Sequence, residues 1–211
     1  MTVSGGSGIV IIGAGGHGKV VLDAILKEGR FQVLSFVDEA GAEGDSFCGL
    51  PVSPTMDGFV EPWFVVAVGD NRARRRLFLQ ARERGWRAAA IIHPSAIIAG
   101  DVTIGGGTVV LAGVVVNPAT VIDTNCIINT AATIDHDCVI SSDVHVAPGC
   151  RLAGEVTIGQ GTFLGIGTIV IPRIKIGSWA TAGAGSVVVG AVEDNCTVMG
   201  VPARVKSKVE R

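Results

Sequence analysis

A six-residue repeat runs without interruption through the second half of the chain and restricts the fold more than any other feature. Counting in steps of six from Ile98 to Val188, fifteen of the sixteen positions hold Ile, Val or Leu, and the exception is Ala182. Four residues after each of them comes a small or β-branched residue, for example Cys126. Such a repeat is typical of a parallel β-helix in which each step is a short strand and a corner. Since three steps close a triangular coil of about 18 residues, the sequence predicts a left-handed parallel β-helix of a little over five coils.

The first 92 residues have a different pattern, in which buried strands alternate with helices. The predicted elements are strands at Gly8–Ile12, Phe31–Val37 and Trp63–Val68, a helix over Lys19–Glu28 that ends at Gly29, and a second helix that starts at Asp70 or Asn71 and ends at Gly85. A glycine-rich loop separates the second and third strands. We therefore predict an α/β, Rossmann-like domain over residues 1–92 and an all-β domain with a C-terminal tail over residues 93–211.

The composition favours small side chains in many short strands and excludes several classes of function. Hydrophobic residues make up 48% of the 211 residues but aromatic residues only 5%, and the chain has 30 glycines and no tyrosine. The net charge of -2 and the sequence pI near 6.1 do not favour a nucleic-acid or anionic-membrane surface. The apolar run Ile9–Ile12 is too short to span a bilayer and no signal peptide is recognised, so we expect a cytoplasmic protein.

Three of the five cysteines are predicted to be small core residues of the repeat. The total number of cysteines is odd, no CxxC pair occurs, and Cys126, Cys138 and Cys150 are spaced twelve residues apart. A disulfide or metal ladder would fit that spacing. The six-residue register instead puts all three at the small inward position, where cysteine acts as a small hydrophobic residue. We therefore expect no disulfides.

The segment Gly13–Gly18 reads GAGGHG and lies between the first predicted strand and the first predicted helix. This is the G-x-G-x-x-G pattern whose glycines let backbone amides approach a phosphate. A domain of about 90 residues lacks the second mononucleotide half that NAD occupies, so a single nucleoside diphosphate is favoured over a nicotinamide cofactor, and a turn without a ligand stays open. With a bound nucleotide, the contacts expected are to phosphate from Gly15, Gly16, His17, Gly18 and Lys19, and to ribose or base from Asp38 and Glu39.

A zinc enzyme is a further alternative, because zinc-dependent carbonic anhydrases also use left-handed β-helices with three histidines at a subunit interface. Here the repeat offers only His136 and His145, with His93 at its entrance, and no HxxxxH spacing occurs. No Ser-His-Asp or metal constellation falls within one coil. We therefore expect no metal.

Several motifs together make the whole chain resemble one enzyme family. The unbroken repeat and the tail Met199–Arg204 (MGVPAR) resemble the hexapeptide acyltransferases that use acetyl-CoA. The opening GAGGHGKVVLDAI, then FVDE, VGDNRARRR and IHPSAII, narrow the resemblance to the two-domain sugar acetyltransferases of the NeuD/PglD type, which N-acetylate nucleotide-linked amino sugars. The resemblance implies that the N-terminal domain holds the nucleotide. It also implies that acetyl-CoA lies between neighbouring β-helices of a homotrimer.

The same resemblance implies a catalytic base at His136 with Asp137 as its acidic partner, because NTAATIDHD, from Asn129 to Asp137, matches the run that carries the family's base. It implies that Asn129 and Asn71 contact the substrate. Independently of the family, Ile134 takes an inward position, so that His136 should lie on the outer surface. A carboxylate beside an imidazole fixes its tautomer and raises its basicity.

For acetyl-CoA, the resemblance implies His145 close to the acetyl group, where it or backbone amides of the coil donate to the oxyanion. Asp143 is expected to be only a solvated corner. The pantetheine arm and the phosphates are expected to contact Gly154, Ile166, Ala184 and Arg204, with Lys206 in the same tail. Some relatives carry glycine at the Ala184 position.

The expected reaction is acetyl transfer from acetyl-CoA to the C4 amine of a nucleotide-linked 4-amino-4,6-dideoxy sugar, by direct attack. The sugar is of the GDP-perosamine or UDP-4-amino-sugar type, and the process is lipopolysaccharide or glycan biosynthesis. Related proteins often have two aspartates where this chain has Asp38-Glu39, which leaves UDP and GDP both open. The alternatives are O-acetylation of a hydroxyl and a non-catalytic scaffold that binds nucleotide sugars.

Overall fold

The N-terminal domain is a mostly parallel sheet with one helix on each face. The structure, a computed structural model, describes residues 7–42 and 44–208. The sheet has the order β3-β4-β2-β1-β5-β6, and only the β3–β4 pair is antiparallel among these described strands. The elements are β1 (Ser7–Ile12), α1 (Gly16–Glu28), β2 (Phe31–Val37), β3 (Ser46–Phe47), β4 (Leu50–Ser53), β5 (Trp63–Val66), α2 (Asn71–Glu83) and β6 (Arg87–Ala88).

Alternate residues of β1 face the two helices. Ile9 and Ile11 are buried in one cluster with residues of α1, whereas Val10 and Ile12 are buried in another with residues of α2. Side chains of a strand point alternately to the two faces of a sheet, so a fully apolar strand such as β1 is covered on both sides. The Rossmann-like α/β prediction is confirmed.

Three local predictions in this domain were wrong. Helix α1 begins at Gly16 rather than at Lys19, so that the last three residues of GAGGHG form its first turn. Strand β5 ends at Val66 rather than at Val68. The glycine-rich loop contains the β3–β4 hairpin, whose two-residue turn has positive φ at both Cys48 (52°) and Gly49 (77°), as a tight hairpin requires.

The second half of the chain is a regular series of two-residue strands that ends in the longer β24 and β25. They run in chain order as β7 (Ile91–Ile92), β8 (Ile97–Ile98), β9 (Thr103–Ile104), β10 (Val109–Val110), β11 (Val115–Val116), β12 (Val121–Ile122), β13 (Ile127–Ile128), β14 (Thr133–Ile134), β15 (Val139–Ile140), β16 (His145–Val146), β17 (Arg151–Leu152), β18 (Thr157–Ile158), β19 (Phe163–Leu164), β20 (Ile169–Val170), β21 (Lys175–Ile176), β22 (Thr181–Ala182), β23 (Val187–Val188), β24 (Cys196–Met199) and β25 (Arg204–Lys208). Because β7 already belongs to this series, the domain division after residue 92 stays a prediction.

Strands eighteen residues apart pair in parallel, which is the register of a triangular coil. Ile128, for example, pairs with Val110 on one side and Val146 on the other. Three faces result: face C (β7, β10, β13, β16, β19, β22, β24 and β25), face D (β8, β11, β14, β17, β20 and β23) and face E (β9, β12, β15, β18 and β21). The predicted left-handed β-helix is confirmed.

The corners repeat every six residues in the left-handed region of the backbone. We name the three corner stacks by their positive-φ residues: the seam corner (Gly107, Asn125, Asp143, Gly161 and Trp179), the third corner (Gly113, Ala131, Gly149, Gly167 and Gly185) and the far corner (Ala119, Asp137, Glu155 and Arg173). The third corner is mostly glycine, which adopts this conformation without strain. Face C joins the seam corner to the third corner, so that the far corner lies on the opposite side of the prism.

The small residue that follows each corner residue points inward, as predicted. Cys126, Cys138 and Cys150 are fully buried free thiols. The Sγ of Cys126 contacts the carbonyl of Ser141, fifteen residues later, at 3.2 Å, and the hydroxyl of Thr120 donates in the same way to Asp135 at 2.9 Å. Cysteine and threonine are therefore equivalent here, because each satisfies a carbonyl of the next coil from inside the core.

The N-terminal domain is attached to face C and to the seam corner. Outward residues of face C, including Ile91 and Val109, belong to the same buried cluster as α1. Along the seam corner, residues of α2 meet successive coils: Phe78 contacts Gly107, Arg74 bonds to Asn125 and Asp143, and Asn71 bonds to Gly161. One helical turn rises about 5.4 Å and one coil about 4.8 Å, so a single face of α2 matches the ladder.

No helix in the described ranges, 7–42 and 44–208, is long and apolar enough to cross a membrane.

Candidate active site

His136 lies exposed at the far corner with its imidazole held from one side. Its Nδ1 is 2.7 Å from Oδ2 of Asp137. Asp135, the preceding residue, accepts from Nδ2 of Asn117 at 2.7 Å and from the backbone N–H of His136 at 2.9 Å, and these bonds lower the pKa of its carboxyl. The Asp137 carboxylate raises the pKa of His136 above its ordinary value of 6.5, with smaller contributions from Asp135 and Glu155. With Nδ1–H donated to Asp137, Nε2 is left as the basic atom.

His145 is buried at the start of β16 on face C, and its tautomer follows from its partners. The Oδ1 of Asn129 accepts from the backbone N–H of Thr130 at 2.8 Å, which turns the Asn129 amide nitrogen toward Nε2 of His145, 3.1 Å away. Nε2 therefore accepts, and Nδ1 carries the proton that faces the carbonyl of Gly69 at 3.3 Å. Burial, with a contribution from Arg74, lowers the pKa of His145 to about 4, so the ring is neutral.

Two further buried groups adjoin His145 where the domains meet. The His17 ring lies 6.4 Å from the His145 ring, and burial followed by the charge of Arg74 lowers the pKa of His17 to about 4. Arg74 is 1% exposed and donates to the carbonyls of Asn125 (3.0 Å) and Asp143 (2.7 Å). Its bonding partners are backbone carbonyls of both domains, and burial lowers its pKa to about 10.

Replacement of Arg74 by methionine is expected to lower the free energy of unfolding by about 3 kcal/mol, since at least two buried carbonyls lose a charged donor. Urea denaturation measures this change. Arg72→Met is the matched control in the same helix: Arg72 is exposed and stacks 4.3 Å from the centre of the Trp179 ring, so its loss should be within about 1 kcal/mol. Equal losses in the two variants would contradict the role given to Arg74.

The N-terminus of α1 is open to a ligand. The N-cap residue is Gly15, which has no side chain to accept from the first N–H groups of the helix. A Cβ added at Gly15 or Gly16 would meet nothing within 4 Å. Gly18 and Gly13 instead serve packing: a Cβ at Gly18 would lie 2.5 Å from the Gly13 carbonyl oxygen, and Gly13 itself has φ of 111°. Uncapped N–H groups at a helix N-terminus favour an anion such as phosphate.

A cavity of about 430 Å³ continues from this turn across the carboxyl ends of β1 and β2. Glu39 lines it, with Arg76, Gln80 and Arg84 of the α2 side, which sequence reasoning missed. The sequence signal for them was their spacing: residues 76, 80 and 84 are four apart, which places their side chains on one face of a helix. Asp38 also lines the cavity. Its two oxygens accept from the backbone N–H groups of Ala14 (2.8 Å) and Ala40 (3.0 Å), so its carboxylate holds the backbone after β1 and after β2 in place. Ligands of open α/β sheets bind at this edge.

Lys19, the last residue predicted at the phosphates, is exposed at the same end of α1, with its Nζ 5.6 Å from the centre of the Phe47 ring.

The geometry at the seam corner corrects the expectation for Asp143 and shows how the Asn71 amide is bonded. Asp143 is not a solvated corner: it is 4% exposed and accepts from Asn125 (2.7 Å), Gln160 (3.0 Å) and Arg75 (3.2 Å), because α2 covers it. Asn71, expected at the substrate, is 8% exposed and donates its amide to the carbonyls of Gly161 and Thr162. Its amide therefore joins the two domains.

The residues expected at acetyl-CoA lie on different sides of the β-helix. Ile166 and Ala184 are exposed neighbours in successive coils at the third corner, and Arg204 is exposed on β25. Gly154 lies at the far corner, beneath His136. One chain therefore does not bring all of them to one groove.

Among the described residues, no group of three His, Cys, Asp or Glu side chains is arranged to hold a metal ion.

Solved structures similar to this chain carry both domains. The acetyltransferase domain of PglB from Neisseria gonorrhoeae FA1090 is 37% identical, with a TM-score of 0.90 over 95% of this chain and 100% of that chain. The same domain has been solved in complex with acetyl coenzyme A. Residues 8–81 also match the family described as PglD N-terminal domain.

The chain belongs to the PglD/NeuD-like family of sugar N-acetyltransferases. This confirms the predicted enzyme class, which uses acetyl-CoA.

Two further relatives of this PglD/NeuD-like protein are named for amino-sugar substrates. A histidine-to-asparagine variant of perosamine N-acetyltransferase from Caulobacter crescentus, in complex with CoA and GDP-perosamine, is 38% identical, with a TM-score of 0.90 over 95% of this chain and 97% of that chain. UDP-N-acetylbacillosamine N-acetyltransferase from Bacillus subtilis (strain 168) is 36% identical over 112 residues. The matched segment spans 49% of this chain and 51% of that curated relative, about half of each.

Asp137→Asn is expected to move the acid limb of the pH profile of this PglD/NeuD-like protein to lower pH. A general base works in its neutral form, so if His136 is the base, activity should fall as the pH drops through its raised pKa. Without the Asp137 carboxylate that pKa falls toward its ordinary value, and the plateau rate drops because the tautomer is no longer fixed. The measurement is kcat/KM from pH 5 to 9. An acid limb at the same pH in Asp137→Asn and the wild type would show that Asp137 does not set the pKa of the titrating group.

Proposed function

We propose that this protein transfers the acetyl group of acetyl-CoA to the C4 amine of a 4-amino-4,6-dideoxy sugar carried on a nucleoside diphosphate. The observation that carries the proposal is the order of features across the N-terminal domain: the cavity at Glu39, the open amides at Gly15 and Gly16, then His17 beside His145. The nucleobase, the diphosphate and the sugar of a nucleotide sugar follow one another in the same order. The relative from Caulobacter crescentus, which holds GDP-perosamine and CoA together, supports a nucleotide-linked amino sugar as the acceptor.

In the proposed reaction the neutral sugar amine attacks the thioester carbonyl carbon and forms the new C–N bond. Nε2 of His136, whose other nitrogen is held by Asp137, takes the proton that the nitrogen loses. The C–S bond then breaks, and the CoA thiolate leaves and receives that proton. The products are the N-acetylated nucleotide sugar and free CoA, and the step requires no acyl-enzyme.

The oxyanion of the tetrahedral intermediate requires hydrogen-bond donors. The expectation that His145 donates is difficult to reconcile with its geometry, since its Nδ1–H faces Gly69 and its Nε2 accepts from Asn129. The Asn129 amide has a second N–H, and its orientation is fixed by the Thr130 backbone and by His145. We assign the oxyanion contact to that N–H and give His145 the task of orienting it.

The proposed site is composite and requires at least two copies of the chain. The nucleotide features lie in the N-terminal domain, which packs on face C and the seam corner, whereas His136 lies at the far corner of the same prism. Because His136 lies on the side of its own β-helix away from these features, it can act only on a substrate that is bound to another copy of the chain. The separation of Ile166 and Ala184 from Gly154 supports the same conclusion, and a cyclic homotrimer provides the arrangement three times.

The test is release of free thiol from acetyl-CoA with four acceptors: GDP- and UDP-linked 4-amino sugars, the matched 4-hydroxy sugar and the free amino sugar. We expect turnover with one or both nucleotide amino sugars, and rates lower by about 100-fold or more with the other two acceptors. Turnover on the hydroxy sugar would favour O-acetylation. Binding of the nucleotide sugars without turnover would favour the scaffold.

A further inference from the structure

Gly154 lies directly beneath the imidazole of His136, one coil further along the β-helix. A Cβ added at Gly154 would lie 2.5 Å from Nε2 of His136, 2.6 Å from Cε1 and 3.1 Å from Cδ2. No side chain fits at those distances unless the ring moves. The imidazole therefore packs against the backbone of Gly154, and Nε2 is the ring atom nearest to the position that a Cβ would take.

The backbone conformation of Gly154 gives no other reason for glycine at this position. Its φ lies outside the left-handed region, unlike the corner glycines Gly149 and Gly167, both at 68°. Alanine is therefore compatible with the local backbone. The three atoms nearest to its methyl group would all belong to the His136 ring, and the His136 side chain is 51% exposed and free to swing into solvent.

The imidazole has two restraints in this structure. Asp137 holds Nδ1 at 2.7 Å, and the Gly154 backbone limits the ring from below. A hydrogen bond alone leaves an exposed ring free to rotate about it, so the surface at Gly154 sets where Nε2 points.

We propose that Gly154 is a positioning residue that seats the His136 imidazole and so aims Nε2 at the acceptor amine, an inference that rests on the proposed function. This role differs from the contact to the pantetheine arm that the family resemblance implies. A displacement of about 1 Å of a catalytic group can cost on the order of 100-fold in rate.

The experiment compares Gly154→Ala with Gly100→Ala in the full-length protein. Gly100 occupies the same register position three coils earlier, and a Cβ there meets nothing within 4 Å. Steady-state kinetics give kcat and both KM values, and an NMR pH titration follows the imidazole of His136, assigned with His136→Asn. For Gly154→Ala we expect kcat to fall about 10- to 100-fold with both KM values within about twofold of wild type. Gly100→Ala should match the wild type.

The titration gives a result that does not depend on turnover. A ring displaced from Asp137 should titrate at lower pH in Gly154→Ala than in the wild type, while thermal unfolding is unchanged. Wild-type kcat in Gly154→Ala would overturn the proposal. So would a defect confined to KM for acetyl-CoA with an unshifted titration, because this indicates a coenzyme contact. Absence of turnover in the wild type would instead contradict the proposed function. The shift in titration would still test whether Gly154 positions the His136 ring.

Discussion

Replacing His136 with asparagine is expected to lower kcat by about 10²- to 10⁴-fold while KM for acetyl-CoA stays near its wild-type value. Asparagine is similar in size and can keep a hydrogen bond to Asp137, but its amide does not take up a proton near neutral pH. The loss should therefore fall on the step in which the amine nitrogen loses its proton. Because His136 is exposed at the far corner and outside the core, the fold should be unaffected.

The matched control is the same substitution at His93, whose Nδ1 bonds to the hydroxyl of Ser95 at 2.8 Å near the start of the β-helix. His93→Asn should keep kcat within a few-fold of the wild type. Rates are compared at a pH well above the pKa of His136, where the wild-type base is neutral. If His136→Asn keeps near-native kcat there, His136 is not the base.

A mixture of two inactive variants is expected to recover about a quarter of wild-type activity, because the proposed site combines parts of two chains in a cyclic trimer. One variant is His136→Asn. The other is Gly16→Asp, which places a carboxylate at the open N-terminus of α1, where its Cβ meets nothing within 4 Å. Aspartate there stabilises the helix but repels the phosphates.

The quarter follows from random assembly. A site is intact when one chain supplies the normal α1 turn and the next supplies His136, and each condition holds for half of the chains in an equal mixture. The two variants are unfolded together and refolded, or expressed together, and the product is compared with the two refolded singly. Light scattering checks that all three samples are trimers. No recovery in mixed trimers would place the nucleotide and the base on one chain, and a monomeric protein would contradict the composite site.

Much of the fold was predictable because its determinants are periodic. An aliphatic residue every sixth position, from Ile98 to Val188, has few solutions other than a triangular coil, and the buried positions follow the predicted register. The position of His136 followed from the same count, since Ile134 points inward. Its partner Asp137 was predictable because the two residues are adjacent.

What the sequence did not reveal depends on contacts between the domains. Asp143 has the outward position of a solvated residue, and only the packing of α2 on the seam corner buries it. The same packing bonds the Asn71 amide to the β-helix and places Arg74 beside His145. The tautomer of His145 depends on Gly69, which lies 76 residues away in the chain. A repeat register carries no information about such long-range partners.

The proposal that this protein acetylates an amine is tested most directly by determining whether the product contains an amide or an ester. The protein is incubated with acetyl-CoA and a GDP- or UDP-linked 4-amino sugar, and the nucleotide sugar is analysed by mass spectrometry before and after mild base. We predict the addition of one acetyl group that survives base, as an amide at C4 does, and at least about 100-fold less of this product from His136→Asn in the same time. An acetyl group lost in mild base, as an ester is, or equal product from His136→Asn, would contradict amine acetylation with His136 as the base.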